Sequence, residues 1–556
     1  MARPAGPGRT GVARGYTGGV GNGQRNWLAW GVLVAGAALR IGLAVVMPPD
    51  VAYDDHFTPI RMLLRDGRLP RPHECWQCYQ PPLFYLISGG VFTGASRAAA
   101  ACGLSEVRAV AAAKKAVQLE SAVFGCITLL VCWSILRRVV PPACPAGLSD
   151  GTAPAGAGAP PGRARESSRA ARDHASDAGP TPTCAGEALA LALVAFLPQH
   201  IYMSAMVTND ALTYLVASLA VWTALWAHGA GWPVRAALLT GVLCGLAVLG
   251  KAYGMATAAA ILGTVGLAAI VRVVRLSAGG ARERVAGRGA KRRSREATRQ
   301  PPTRYGRAVM LVAAGALAVG IWPSVRELHL YGRLHVDNFD FFKTNMLSQP
   351  PGSREAVEWF TFRPVALLQH PWVHTSNVAS FWTELYAHFW FEYEGTISLK
   401  NFPQWRAFEL RVLPSAGRWT PAVVRQLLSY GAGDVPAGLR RWAQASYLAG
   451  LPLTAIVLAG FAAAVVQSRR FGPALLVFHF CGCLCVPLVQ TLRLPIFAAM
   501  KSAYALSAIS SVPVFAVLLL TALVGWRRTL VVAVGWAAAA TIALADVGYI
   551  VAQVRA

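Results

Sequence analysis

The chain contains 556 residues, of which 55% are hydrophobic and only 14% are charged. Soluble chains carry about 25% charged residues, so this composition excludes a string of soluble domains, and it equally excludes a disordered or collagen-like chain. Repeated apolar stretches of about 20 residues instead predict an all-α, polytopic membrane protein. The formal net charge of +26 is therefore interpreted as loop charge that sets the topology, not as a nucleic-acid-binding signal.

Eleven apolar segments predict about eleven transmembrane helices. They lie at 27–47, 109–136, 186–206, 210–228, 235–251, 253–271, 307–325, 445–467, 472–490, 504–525 and 529–550. One further apolar segment, at 81–102, is predicted to be a re-entrant or interfacial helix in a long first outer loop, because another crossing would place the most basic loop outside.

Loop charge assigns the two faces of the membrane. Residues 272–307 carry twelve Lys and Arg against two acids, whereas residues 329–443 carry eleven against nine. The positive-inside rule places the first loop in the cytoplasm and permits the second one outside. Eleven crossings then give a cytoplasmic N-terminus and an outer C-terminus.

These assignments divide the chain into six units. They are a cytoplasmic basic tail (1–26), two transmembrane helices with the first outer loop between them (27–140), a disordered cytoplasmic linker rich in Ala, Gly, Pro and Ser (141–185), transmembrane helices with the basic loop 272–307 (186–328), a large outer loop (329–443) and the C-terminal transmembrane helices (444–556).

Acidic residues of the outer face are candidate catalytic groups. Asp54, Asp55 and His56 follow the first predicted helix, and adjacent carboxylates can share the work of a general base. The alternative for this pair is a solvated loop or a cap for the next helical turn. Asn209 and Asp210 lie at the outer mouth of a later span, where the alternative is an N-cap and the boundary position favours function.

Lys251 ends another predicted helix on the same face. The segment 245–252 nearly matches a P-loop, but Ala252 replaces the Ser or Thr that would bind magnesium and no strand precedes it. We therefore reject nucleotide binding and expect Gly241 and Gly245 to allow close helix contacts. Lys251 is expected either to snorkel or to meet an anionic headgroup beside Asp210.

Two further features of the predicted outer loops have alternative interpretations. Cys75 and Cys78 are expected to form a disulfide, because thiols outside the membrane oxidise, and a metal site with His73 and Glu74 is the weaker option. The aromatic segment 381–390 is typical of an interface belt, and a sugar- or lipid-binding wall is the alternative.

Several short motifs, taken in order, resemble those of the bacterial GT-C glycosyltransferases, which are relatives of the protein O-mannosyltransferases and of the lipid A aminoarabinose transferase. The motifs are the acidic pair with 67–70 and 79–85, then 198–201 with 208–212, then 245–251 and finally 501–504. This sequence departs from the pattern where Asp55 replaces a frequent Glu and where Tyr79 replaces a His.

The resemblance implies the GT-C fold and transfer of a hexose or pentose from a polyprenyl-phosphate-linked donor on the outer face, in the inner membrane of a bacterium. It leaves the acceptor open as a glycan, lipid or protein, implies no nucleic acid, and leaves a divalent cation open as a cofactor. The rival is a transporter or lipid-linked-sugar flippase, which would need ionisable residues in mid-span and broken helices.

Face assignment and resemblance together select the candidate site residues. The candidate catalytic residues are Asp54, Asp55 and Asp210, with one of the first two as the base. The candidate substrate-binding residues are His56, Gln80, Tyr85, Asn209, Lys251, Arg493, Lys501 and Tyr504.

Overall fold

The computed structural model describes nine stretches of the chain, and within them the regular structure is entirely helical. The described residues are 26–51, 55–140, 184–283, 303–341, 361–369, 371, 380–391, 437–493 and 502–555. The predicted tail and linker, much of the basic loop and most of the large outer loop lie outside the described residues.

The helices are numbered here in chain order. They are α1 (Trp27–Val46), α2 (Phe57–Asp66), α3 (Leu83–Ala101), α4 (Glu106–Val139), α5 (Cys184–Ala195), α6 (Pro198–Ala205), α7 (Asn209–Gly229), α8 (Val234–Gly250), α9 (Gly254–Glu283), α10 (Thr303–Gly320), α11 (Trp322–Tyr331), α12 (Asn338–Phe341), α13 (Pro364–Gln369), α14 (Phe381–Trp390), α15 (Ala437–Val466), α16 (Phe471–Arg493), α17 (Val512–Ala522) and α18 (Gly525–Arg555). Short 3-10 turns occur at Pro49–Val51, Ser502–Tyr504 and Leu506–Ser511.

Seven of these helices are long and apolar enough to cross a membrane, which confirms an all-α, polytopic membrane protein. They are Trp27–Val46, Glu106–Val139, Asn209–Gly229, Gly254–Val274, Gly438–Val466, Phe471–Leu492 and Gly525–Ala552. Two bent pairs, α5 with α6 and α10 with α11, raise the count to nine if each pair is one span.

The predicted count of eleven is not confirmed by helix length and composition. The two remaining predicted spans fall on shorter apolar helices, Val234–Gly250 and Leu506–Ala522. The segment expected to be re-entrant or interfacial forms α3, which does not belong to the seven long apolar helices found in the described chain.

Glycine allows α8 to approach α10 closely. A Cβ added to Gly245 would lie 2.7 Å from the Cβ of Val319, and one added to Gly241 would clash with the carbonyl oxygen of Val312. The expectation of close helix contacts at both glycines is confirmed. This packing fixes the end of α8, from which Lys251 follows.

The aromatic residues of α14 pack mainly inside the protein. Phe381, Tyr386 and Trp390 are buried, the Tyr386 hydroxyl donates to the carbonyl of Tyr447, and the Trp390 indole donates to Thr454 at 2.9 Å. The expectation of an aromatic interface belt is therefore wrong for these three side chains, which are buried.

Candidate functional site

The first turn of α7 presents a buried carboxylate. Thr208 caps this helix, since its hydroxyl oxygen accepts a hydrogen bond from the backbone N–H of Asp210 at 3.2 Å. Asn209 and Asp210 are thus the first two residues of the helix, and the alternative that one of them is the cap is wrong. A carboxylate in the first helical turn is stabilised by the helix dipole.

Asp210 forms a buried ion pair with Lys251. The Lys251 ammonium lies 2.8 Å from each carboxylate oxygen, and the two side chains are only 9% and 4% exposed. The Tyr253 hydroxyl donates to Oδ1 of Asp210, and the Thr208 hydroxyl donates to Oδ2 at 2.7 Å. Three donor groups therefore hold one carboxylate in a site that excludes water.

With these donors, the Asp210 carboxylate is suited to orienting a cation that the chain itself supplies, the Lys251 ammonium. A divalent ion at Asp210 would have to displace the Lys251 ammonium, because both carboxylate oxygens already accept hydrogen bonds. Within the part of the chain that the structure describes, no three His, Cys, Asp or Glu side chains are grouped to hold a metal ion.

Glycines on both sides of Lys251 place its ammonium against α7. A Cβ added to Gly250 would lie 2.7 Å from the Thr213 hydroxyl, and one added to Gly254 would clash with the carbonyl of Ala247. Glycine at 254 permits a close approach of backbone, and glycine at 250 leaves room for the Thr213 hydroxyl. The short connection from α8 to α9 therefore turns directly beside Asp210.

Tyr504 brings the C-terminal part of the chain to the same place. Its ring contacts the ring of Tyr253 at a centroid distance of 5.6 Å. The Lys251 ammonium lies 5.3 Å from the Tyr253 centroid and 5.8 Å from the Tyr504 centroid. Aromatic faces at these distances stabilise a cation.

The amide of Asn209 links the site to the predicted first outer loop. Its nitrogen donates to the carbonyl of Gly250 at 3.1 Å and approaches the Gln80 side-chain oxygen at 3.4 Å. Asn209 itself is fully buried. Gln80, Asn209, Asp210, Lys251 and Tyr504, all predicted from sequence, therefore form one cluster.

Asp55 precedes the N-cap residue His56, and its side chain pairs with the first turn of α2. One of its oxygens accepts from the backbone N–H groups of Phe57 and Thr58 at 3.0 Å each, and the other accepts from the Thr58 hydroxyl at 2.6 Å. The capping alternative for the acidic pair thus describes Asp55. Asp54 lies outside the described residues.

The backbone that leads to the acidic pair is held by α4. The Lys115 ammonium donates to the carbonyls of Ala44 and Met47 at 2.9 and 2.6 Å, and Lys114 pairs with Asp50 at 2.8 Å. Lys115 thereby supplies donors to the carbonyls that α1 leaves unpaired at its end.

His56 and Tyr85 join α2 to α3. Both are buried, the His56 Nδ1 atom lies 3.1 Å from the Tyr85 hydroxyl, and that hydroxyl donates to the carbonyl of Gln77 at 3.2 Å. Their contacts hold the segment between α1 and α4 together. Their proposed contact with substrate stays a prediction.

Cys75 and Cys78 are joined by a disulfide, so they are not the thiolate ligands that the weaker metal alternative requires. The neighbouring Glu74 accepts two hydrogen bonds from Arg68, at 2.6 and 3.0 Å. This pairing, together with the backbone N–H of Arg71, lowers the pKa of Glu74 to about 2.

Two of the predicted cationic residues have no described side chain. Lys501 lies outside the described residues, and for Arg493 only the backbone is described. The sequence places Thr208 in a motif but gives it no role, and it does not indicate Tyr253; both residues complete the Asp210 site. The only sequence signal for Tyr253 is its position two residues after Lys251.

Comparisons with known proteins give structural neighbours only. No family model and no curated protein matches the sequence. The Archaeoglobus fulgidus oligosaccharyltransferase in its apo form aligns with a TM-score of 0.44 and 13% identity, over 94% of this chain and 56% of that one. The same organism's AglB, bound to an inhibitory peptide and a dolichol-phosphate, aligns with a TM-score of 0.44 and 12% identity, over 95% and 56%.

A further neighbour is ArnT from Cupriavidus metallidurans bound to undecaprenyl phosphate, with a TM-score of 0.32 and 14% identity over 91% of this chain and 77% of that one. The present chain spans about half the length of the oligosaccharyltransferase chains that it matches.

Proposed function

We propose that this protein is an integral-membrane glycosyltransferase that moves a sugar from a polyprenyl-phosphate carrier to an acceptor on the outer face of the membrane. One observation carries the proposal: four motifs that are far apart in sequence meet at the Lys251–Asp210 pair. Gln80, Asn209, Lys251 and Tyr504 each come from a different motif. A buried cation flanked by two tyrosine rings suits a lipid phosphate.

The Lys251 ammonium would bind the phosphate that leaves the sugar. As the bond between the anomeric carbon and the phosphate oxygen breaks, negative charge grows on the phosphate. A fixed cation in a site that excludes water stabilises this charge most strongly. Asp210 would hold the ammonium in place, and Arg493 and Lys501 are proposed as further phosphate contacts.

The acceptor hydroxyl would lose its proton to a carboxylate of the first outer loop while its oxygen bonds to the anomeric carbon. Both oxygens of Asp55 accept hydrogen bonds from the start of α2. This engagement favours Asp54 as the base and Asp55 as the residue that holds the loop. Base catalysis of this kind contributes about 10²–10⁴ in rate.

The test is turnover by the purified full-length protein. Polyprenyl-phosphate-linked hexoses and pentoses would be supplied with a membrane lipid and glycan extract as the acceptor source, with and without a chelator. We expect release of polyprenyl phosphate that is lost in the Lys251→Gln variant. The control is His479→Asn, which alters a buried histidine in contact with Thr257 and should retain the release. Release that is equal in both variants would contradict the assignment of the site.

The rival function, a lipid flippase, is favoured by one set of observations. Two helix pairs are bent, by 51° and 48°, and Arg40 is buried inside α1. However, Arg40 donates hydrogen bonds to residues on both sides of the bend between α5 and α6. This bend is therefore a fixed joint. In proteoliposomes a flippase would move a lipid-linked sugar across the bilayer without releasing the sugar.

A further inference from the structure

The guanidinium of Arg40 lies completely inside the protein, within the first membrane helix. Arg40 is 0% exposed. It donates hydrogen bonds to the carbonyls of Gly36 at 2.7 Å, Ala195 at 2.8 Å and Val194 at 3.1 Å, and to the Nδ1 atom of His200.

These acceptors mark a break in a membrane segment. Helix α5 ends at Ala195, and α6 begins at Pro198 with a bend of 51°. The last carbonyls of a helix have no partner within it, and inside a bilayer each one left unpaired costs several kcal/mol. Arg40 supplies donors to two of these carbonyls, so it caps the broken helix from a neighbouring helix.

The same guanidinium also fixes α6. A guanidinium can only donate, so Nδ1 of His200 is the acceptor and the ring carries its proton on Nε2. The ring of His200 contacts that of Tyr214 at a centroid distance of 5.8 Å, and the Ser204 hydroxyl donates to the His200 carbonyl at 2.6 Å. Arg40 therefore binds both halves of the bend.

Glycines make room for this joint. A Cβ added to Gly125 of α4 would clash with the Ser204 side chain and lie 3.2 Å from Cδ of Arg40. One added to Gly36 would lie 2.8 Å from the Cβ of Ala195. Helices α1, α4 and α6 thus close tightly around the arginine.

The joint leads directly to the candidate site. Three residues, 206–208, connect α6 to α7, and the last of them caps the turn that carries Asp210. Tyr214, which contacts His200, donates to the carbonyl of Ala503 at 2.8 Å, next to Tyr504.

We propose that Arg40 is a positioning residue: by fixing the bend between α5 and α6, it sets the first turn of α7 against Lys251. The geometric part of this inference is independent of the proposed function, and only its ligand readout rests on that function.

A disulfide across the site can measure the predicted geometry without a ligand. A Cβ at Gly250 would lie 3.6 Å from the Cβ of Thr213, within the range of about 3.5–4.5 Å that a disulfide needs. The paired substitutions Thr213→Cys and Gly250→Cys in the full chain should cross-link on mild oxidation, with the product identified by mass spectrometry of the linked peptides.

Arg40→Met should slow this cross-link about tenfold, and Arg40→Lys should restore most of the rate because it keeps a donor cation. The matched control is His479→Asn, which alters a fully buried histidine that lies 3.1 Å from Thr257. This control should lower thermal stability without changing the cross-linking rate. His200→Leu, which removes a single acceptor, should give a smaller slowing and serves if Arg40→Met fails to fold.

The second readout is binding of sugar-free polyprenyl phosphate, which should weaken about tenfold in Arg40→Met and not in His479→Asn. The inference would be overturned if Arg40→Met cross-linked at the same rate as the parent protein. If Arg40→Met does not fold, the same result in His200→Leu would overturn it. If the parent protein binds no polyprenyl phosphate while cross-linking still depends on Arg40, the proposed function fails and the positioning role stands.

Discussion

Removing one charge of the Asp210–Lys251 pair should destabilise the protein more than the same change does when its partner is also neutral. Lys251→Met leaves a carboxylate that is buried with only the hydroxyl donors of Tyr253 and Thr208. Asp210→Asn leaves a buried ammonium with an amide oxygen in place of a charge. Breaking one side of a buried ion pair costs about 3–5 kcal/mol.

The double variant, Asp210→Asn with Lys251→Met, contains no uncompensated charge at this place. Its free energy of unfolding should therefore fall by less than the sum of the two single losses. Because the side chains are only 9% and 4% exposed, solvent screening is small, and we expect a coupling of about 1–3 kcal/mol.

The coupling can be measured by unfolding the four proteins with SDS from mixed micelles, with helix content as the signal. The pair of Thr257 and His479, in contact at 3.1 Å and also buried, provides a neutral comparison. Additivity of the two single changes within about 0.5 kcal/mol would refute the ion pair as an energetic unit.

Three further outcomes concern the first outer loop. Asp54→Asn should reduce turnover by about 10²–10⁴, whereas Asp55→Asn should mainly cost about 0.5–2 kcal/mol of capping; equal turnover in single-turnover assays would refute the division of roles. An impermeant thiol reagent applied to intact cells should label Cys75 and Cys78 only after reduction, and labelling without reductant would contradict the disulfide. The stability that Glu74 contributes should be complete above its ordinary pKa of 4.5 and lost as pH falls through about 2, so Glu74→Gln should remove this acid dependence from loop proteolysis.

The fold class followed from apolar length alone, because a bilayer requires helices of about 20 apolar residues. The number of crossings did not follow, for a physical reason. Val234–Gly250 and Leu506–Ala522 are apolar but short, and periodicity cannot distinguish such a segment from a buried helix within a bundle. The bend between α5 and α6 had a visible signal in Pro198, since proline starts helices and interrupts them.

The sequence predicted the site residues whose type is rare at a membrane boundary. It did not predict the residues whose role depends on how the helices pack. Asp210 and Lys251 were identified because charges at membrane boundaries are uncommon. Tyr253 was not, because tyrosines are frequent in membrane proteins and only the turn between α8 and α9 aims this hydroxyl at Asp210. Arg40 was not predicted because two of its acceptors are the carbonyls of Val194 and Ala195, which lack helical partners only because the helix breaks after them.

The two buried cations, Arg40 and Lys251, differ in how many of their hydrogen-bond donors are occupied by the protein itself. Two of the three carbonyls that engage Arg40, those of Val194 and Ala195, belong to the end of α5, and the third, that of Gly36, lies within α1. Together they occupy three of the guanidinium's five donors. An ammonium has three donors, and Asp210 accepts two hydrogen bonds from Lys251, so a phosphate oxygen can bind Lys251 without breaking the pair. Asp210→Asn should then weaken the binding of sugar-free polyprenyl phosphate less than Lys251→Met does, because it loosens the hold on the ammonium but also removes a negative charge beside the ligand. Lys251→Met should weaken that binding at least about tenfold, which is about 1.4 kcal/mol. The opposite order in a direct binding measurement would assign the ligand to the carboxylate, as a phosphate bridged by a divalent cation requires.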